Sequence, residues 1–230
     1  MFVFYSEDVE NDRGTLSVEE IHHCIHVLRH KVGDTIFVAD GKGKLCTCII
    51  LSIQKSVLQF EVMKSEYLPI PGNPTGIAMA YNKSMERMEW LVEKAVELGV
   101  SNIYFFDCQR AERSKVNEIK LRKVAISAMK QSRHGHLPEI LICDSVSMLI
   151  AETRQFDQKF AAVCVKEQAP LSSFLSQPAK RIAIVGPEGD FTDEEIQLLI
   201  DAGFHPVSLG PTILRSETAG MVAASLLKLL

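Results

Sequence analysis

Arg215 and Glu217 stand two residues apart in LGPTILRSETAG, Leu209 to Gly220, where an apolar strand end passes through glycine and proline into an apolar helix. A guanidinium and a carboxylate at such a point can stabilise developing negative charge and take up a proton. The pair can equally serve the fold alone, with Ser216 capping the terminal helix and Glu217 answering its dipole. A second loop of similar construction, GPEGDFTDEE, Gly186 to Glu195, lies between the apolar strand RIAIVG and a helix start. Gly186 and Gly189 let a backbone approach a ligand, and Pro187 stiffens the turn, so main-chain N–H and C=O groups point in fixed directions. A tight turn that binds nothing is the alternative. Neither loop reads G-x-G-x-x-G or G-x-x-x-x-G-K-[ST], so the ordinary dinucleotide and Walker phosphate cradles are not supported. A nucleoside-type ligand would be held differently.

The next candidate chemistry is electrostatic. The chain carries a net charge of -4, against a generally basic nucleic-acid binder, but the average conceals a local block. Between Cys108 and Pro138 lie Arg110, Arg113, Lys115, Lys120, Arg122, Lys123, Lys130 and Arg133, opposed only by Glu112 and Glu118. Such a stretch can concentrate a polyanion locally. Leu121, Val124, Ala125 and Ala128 form one apolar helical face, which turns Arg122, Lys123, Lys130 and Arg133 toward water, where phosphate contacts are made. A solvated charged face is the plainer explanation. His22, His26 and His30 recur at four-residue spacing beside His23, but H-E-x-x-H is absent, so polar or RNA contact is favoured over a metal site. The six cysteines lie mostly inside apolar runs with no C-x-x-C, and are expected as reduced core residues. Trp90, with Met85, Met88 and Leu91, is expected in the core.

These residues need elements to hold them. A composition of 47% hydrophobic and 23% charged residues is that of an ordinary globular protein. No run approaches the roughly 18 apolar residues of a membrane span, and the start lacks a basic leader, so a cytoplasmic location is expected. The first seventy residues or so read as β-rich, interrupted by one helix. Ser17 with Glu20 makes a capping-box pattern, and Ile21, Cys24, Ile25 and Leu28 follow at helical spacing. TIFVADGKGKLCTCIILSI reads as two strands joined at Asp40 to Gly43, and VLQFEV as another. PIPGNP, Pro69 to Pro74, suits neither a helix nor a strand interior and marks a boundary, giving domains 1–70 and 71–230. Beyond it strands and helices alternate. IAMAY, a helix over 85–98 closed by Gly99, IYFFD, a basic helix over 117–133, EILIC, FAAVCV, RIAIVG, a helix capped by Thr192 with Glu195, PVSLG and a C-terminal helix predict an α/β fold with a parallel sheet. In such sheets ligands bind beyond the carboxyl ends of the strands, where both loops must sit.

Taken in order, HHCIHVLRHKVGD, KSMERMEWLVEKAVELGV, ERS with AMKQSRHGHLP, IVGPEGDFTDEEI and LGPTILRSETA resemble the 16S ribosomal RNA uridine-N3 methyltransferases, the RsmE family of the SPOUT superfamily. The resemblance runs from His22 to Ala219. It implies a PUA-like RNA-binding β-barrel followed by a SPOUT-type parallel sheet with a C-terminal trefoil knot, a departure from the general rarity of knots. It also implies S-adenosyl-L-methionine as methyl donor, a homodimer, and 16S rRNA or the small ribosomal subunit as partner, with no DNA or membrane. On matching positions, the donor would be held by Gly186, Glu188 and Gly189, by Leu209, Gly210, Ile213 and Leu214, and by a third edge at Val163 to Val165. The family loop usually reads GPEGG, whereas Asp190 stands here in place of the last glycine. The family's N-terminal arginine motif is replaced by MFVFYSED.

Methylating uridine N3 requires loss of a weakly acidic proton and stabilisation of charge on the uracil carbonyl oxygens. Arg215 is therefore expected as the electrostatic or orienting group and Glu217 as base or positioning partner. Arg29, Arg113, Arg122, Lys123, Lys130 and Arg133 are candidates for RNA contact. A non-catalytic ribosome-assembly factor on the same fold and a small-molecule enzyme with an adenosine cofactor are the other classes open to the sequence.

Overall fold

The computed structural model describes residues 2–10, 12–70, 72–112, 116–164 and 168–230. The chain forms two compact units, Met1–Ile70 with Ile126–Leu137, and Pro71–Ala125 with Pro138–Leu230.

The first unit contains β1 (Val3–Tyr5), β2 (Val9–Glu10), β3 (Arg13–Leu16), α1 (Val18–His22), β4 (Thr35–Ala39), β5 (Lys44–Ile53) and β6 (Leu58–Tyr67). The strands form one sheet in the order β1-β4-β5-β6-β3-β2, antiparallel except between β1 and β4. The expected turn between β4 and β5 is present. Gly41 and Gly43 take φ of 77° and 100°, and Asp40 Oδ1 accepts hydrogen bonds from the N–H groups of Lys42 (2.7 Å) and Lys44 (3.0 Å). Phe4, Leu16, Ile21, Cys24, Ile36, Val38, Ile50, Leu58 and Phe60 pack into the core of this unit.

Helix α1 departs from the expected periodicity. Ser17 caps it, but Glu20 does not reach back to complete the box; its carboxylate accepts from Lys130 Nζ at 2.5 Å. After His22 the backbone widens into a π-helical turn, His23–Val27, in which Leu28 N–H reaches back to His23 O (3.1 Å). A π turn inserts an extra residue and rotates the positions after it around the helix axis. Ile21 and Cys24 therefore face the core, whereas Leu28, expected on the same stripe, is exposed.

The second unit runs β7 (Thr75–Ala80), α2 (Met85–Glu97), β8 (Asn102–Phe106), α3 (Glu118–Ser132), β9 (Glu139–Cys143), α4 (Val146–Glu152), β10 (Gln158–Ala162), β11 (Arg181–Val185), α5 (Asp193–Asp201), β12 (Phe204–Val207) and α6 (Ser216–Leu229), although α3 continues past Ala125 into the first unit. Its sheet is parallel throughout, in the order β12-β10-β11-β7-β8-β9. Pro206, which lacks an N–H to donate, sits on the edge strand β12, where a sheet tolerates proline. The chain runs outward from β7 to β9, then returns to lay β10, β11 and β12 on the other side of β7. The junction of β7 and β11 is thus the topological switch point, the place where parallel sheets bind ligands. Thr192 and Glu195 form the expected reciprocal box at the start of α5. The short helix α4 was not expected from the spacing of apolar residues.

Trp90 corrects an expectation. Met88, Leu91, Val92, Ala95 and Val96 make the buried stripe of α2; Trp90, two residues from Met88 and so on the opposite side of the helix, is 40% exposed. The cysteines divide likewise: Cys24, Cys46, Cys48 and Cys143 are buried, Cys108 is half-buried and Cys164 is exposed. Burial pushes the Cys24 and Cys143 thiols up to about 11 and the Cys108 thiol to about 12, so these three remain protonated at neutral pH.

Candidate functional site

Strands β12, β10 and β11 are neighbours, so the segments leaving their carboxyl ends stand side by side. The two glycine-bearing loops and the Val163 edge, separate in the sequence, thus lie on three adjacent strands. β11 ends at Val185 and releases Gly186 to Asp190. β10 ends at Ala162 and releases Val163 and Cys164; Val165 lies outside the described residues. β12 ends at Val207 and releases Ser208 to Leu214 ahead of α6. Val163 and Gly186 are buried, Leu209 and Leu214 half-buried, and Glu188, Gly189 and Gly210 exposed. Ile213 is 89% exposed, an apolar side chain left in solvent.

The glycines act differently from one another. A Cβ on Gly186 would lie 2.9 Å from the Phe191 ring, so this glycine makes room for a packed aromatic. Gly189 has only ordinary contact with Arg110, and Gly210 takes φ 143°, a conformation closed to most side chains. Asp190, where the resemblance leads one to expect glycine, adopts φ 58°. Aspartate is among the few residues that enter this left-handed region readily.

Three side chains that sequence reasoning did not assign to the site hold these loops. Asn82, at the exit of β7, donates from Nδ2 to Glu188 Oε1 at 2.6 Å, spanning the switch point. Arg87, on the first turn of α2, places Nη1 3.3 Å from Glu188 Oε1 and Nε 3.6 Å from Glu217 Oε1. Arg110, counted in the sequence among the basic block, donates from Nη1 to the carbonyls of Gly189 (2.8 Å) and Phe191 (3.2 Å). The position of Asn82 and Arg87 just beyond a strand end was visible; that β7 lies next to β11 was not.

Arg215 and Glu217 part company. Arg215 takes the N-cap position of α6 with no side-chain capping bond, displacing Ser216 from the expected cap; Ser216 is buried as the first helical residue. Arg215 is exposed, and the ionic partner of Glu217 is Arg87. The Glu217 side chain is 12% exposed, and its Oε2 is buried without a hydrogen-bond partner among the described residues. Such an atom carries a desolvation cost.

The RNA-contact candidates are dispersed. Arg29 and Arg133 are exposed and share a left-handed backbone, at φ 61° and 60°. Arg122 and Lys123 are exposed on α3. Lys130 is committed within the first unit, paired with Glu20 and lying 5.7 Å from the Phe2 ring centroid. Arg113 lies outside the described residues. Of the histidines, His22 and His26 have ring centroids 4.9 Å apart, His23 stacks on Phe2, and His30 pairs with Asp34. No group of three potential ligands close enough for a metal occurs among the described residues.

At the other half of the same edge, a cleft of about 590 Å³ has Asp107, Asp144 and Glu195 as the charged members of its lining. Its acidic walls suit a polyanion poorly.

Two family models match the chain, an RNA methyltransferase PUA domain over residues 16–63 and an RNA methyltransferase domain over residues 71–228. The ribosomal RNA small subunit methyltransferase E of Mycobacterium bovis is 30% identical over 234 residues, covering 96% of this chain and 88% of that protein. A crystal structure of a probable rRNA-methyltransferase from Porphyromonas gingivalis is 34% identical, with a TM-score of 0.90 over 98% of this chain and 96% of the other. A Legionella pneumophila protein, solved in complex with the bound cofactor SAM, is 27% identical, with a TM-score of 0.84 over 99% and 96% of the two chains. With matches spanning both units in the order the sequence blocks required, the chain belongs to the ribosomal RNA small subunit methyltransferase E family.

Proposed function

We propose that this chain transfers a methyl group from S-adenosyl-L-methionine to N3 of a uridine in 16S ribosomal RNA of the small subunit. The observation that carries the reading is the convergence of three loops on adjacent strand ends beside the switch point, in a chain of this family. Gly186, Glu188 and Gly189, with Leu209, Gly210, Ile213, Leu214 and Val163, hold the donor. The bound donor supplies an electrophilic methyl group on a sulfonium that becomes a neutral thioether. The trefoil knot, the homodimer that completes the site and a cytoplasmic location come with the same reading. So does the assignment of residues 1–70 as a PUA-like RNA-binding domain and 71–230 as the SPOUT domain.

The protein's part is positioning and electrostatics. Glu217 accepts the N3 proton at Oε2, the oxygen without a partner among the described residues. Arg215, exposed at the start of α6, stabilises the negative charge that the uracil oxygens gain as that proton leaves. Arg29, Arg122, Lys123 and Arg133 contribute phosphate contacts. The test is methylation of small-subunit RNA by Glu217→Gln and Arg215→Ala variants whose S-adenosylhomocysteine binding is intact by calorimetry. Turnover is expected to fall roughly 100-fold or more for Glu217→Gln; near-normal turnover in both variants removes the assignment. Loss of the uridine N3-methyl mark from 16S rRNA when the gene is deleted, read by mass spectrometry, tests the target atom.

A further inference from the structure

We infer that Asp190 is a positioning residue of the donor site: its carboxylate ties the exit of β10 to the exit of β11 and so holds the Val163–Cys164 edge against the Gly186–Gly189 loop. The inference rests on the donor reading above. β10 and β11 pair residue for residue up to Ala162 and Val185, where the main-chain ladder ends. Beyond that point Asp190 spans the gap. Its Oδ1 accepts from its neighbour Phe191 N–H at 2.9 Å, and its Oδ2 accepts from Cys164 N–H at 2.8 Å. The first bond is local and would form in many turns; the second joins two loops.

The carboxylate has little freedom to point elsewhere. Its Oδ1 lies 3.3 Å from where a Gly186 Cβ would be, next to the Phe191 ring, and its backbone is fixed at φ 58°. Glycine at this position would satisfy the backbone and leave Cys164 N–H without this acceptor. Aspartate satisfies both, with two charge-assisted bonds. The Cys164 thiol registers the same proximity: burial raises its pKa first, and the Asp190 charge raises it further.

Two variants separate shape from bridging. Asp190→Asn keeps the size and the tolerance for left-handed backbone, but its single amide oxygen can take only one of the two positions that the carboxylate oxygens hold, so one of the two N–H groups faces an amide NH2. Asp190→Gly keeps only the backbone freedom. In Asp190→Gly, which removes the acceptor outright, amide hydrogen exchange at Cys164 in the ligand-free protein should accelerate roughly tenfold, and in Asp190→Asn by less. The KM for S-adenosylmethionine at saturating RNA should rise roughly three- to tenfold while kcat stays within about twofold, because the loss falls on uniform donor binding. Unchanged exchange at Cys164 in both variants overturns the bridge. Faster exchange with an unmoved KM overturns the positioning role alone. A wild-type protein that binds no S-adenosylmethionine in calorimetry overturns the donor reading and the positioning role together.

Discussion

Arg87 serves two carboxylates from different parts of the chain, Glu188 on the β11 loop and Glu217 on the first turn of α6. Its side chain is 35% exposed and that of Glu188 49%, so the pairs are solvent-screened and their share of stability is small, under about 1 kcal/mol. Their geometric consequence is larger, because a planar guanidinium can face two acceptors where an ammonium acts as one point charge. Arg87→Lys should therefore lower methylation at saturating substrates roughly tenfold while the melting temperature moves by only a few degrees. Steady-state assays beside thermal scans check this; activity retained in Arg87→Lys would show that charge alone suffices. The sequence had paired Glu217 with Arg215, its neighbour along the chain. Residue types at the site were legible, since glycine, proline, arginine and glutamate at strand ends are unusual enough to mark it. Partners were not, because they come from β7, α2 and the β8 exit, whose adjacency is a property of strand order.

Helix periodicity carried most of the element boundaries. The extent of α2 with its buried Met88 and Leu91, the box at Thr192 and the apolar face of α3 came from spacing, because regular helices bury one side, although spacing did not turn Trp90 outward. The π turn after α1 did not, because an extra residue per turn leaves the composition unchanged and alters only which residues face inward. The basic face of α3 was legible as charge but not as function. Lys130 lies at the end of the helix that belongs to the first unit, and its ammonium meets Glu20, with side-chain exposures of only 20% and 10%. Removing one member of such a pair strands the other: Glu20 Oε2 already lacks a partner among the described residues, and Oε1 would lose its own. Lys130→Met should destabilise the protein by about 2 kcal/mol, below the fully buried range because water still reaches both groups. The double variant Glu20→Gln with Lys130→Met should recover part of that loss. Urea unfolding of both checks it, and a single variant as stable as wild type would return Lys130 to the candidates for RNA contact.

At the scale of the molecule, the proline-rich segment at 69–74 separates two units that are not two consecutive pieces of chain. Residues Ile126–Leu137 return to the first unit. Gly43 N–H donates to Gly135 O (2.9 Å), Leu137 N–H donates to Gly41 O (2.8 Å), and Leu68 O accepts from His136 Nε2 at 2.6 Å. With the Lys130–Glu20 pair, these contacts fasten the returning segment to the β4–β5 turn, the end of β6 and α1. Four interactions at about 1 kcal/mol each are a large share of the stability of a unit this small. The apolar core, from Phe4 to Phe60, lies wholly within the first seventy residues, which is why the sequence reads as one β-rich domain ending there. The returning segment adds mainly polar and main-chain contacts, with the Leu137 side chain against Gly41 and the Tyr67 ring against His136, and the pattern of the first seventy residues carries no trace of them. A fragment of residues 1–70 should therefore be substantially less stable than the same unit in the full chain, with collapsed amide dispersion by NMR at temperatures where the full chain is native. A peptide of residues 126–137 added in excess should restore dispersion, since it resupplies all four contacts by mass action. A fragment 1–70 that is fully dispersed alone and indifferent to the peptide would mean that the sequence boundary is also the folding boundary.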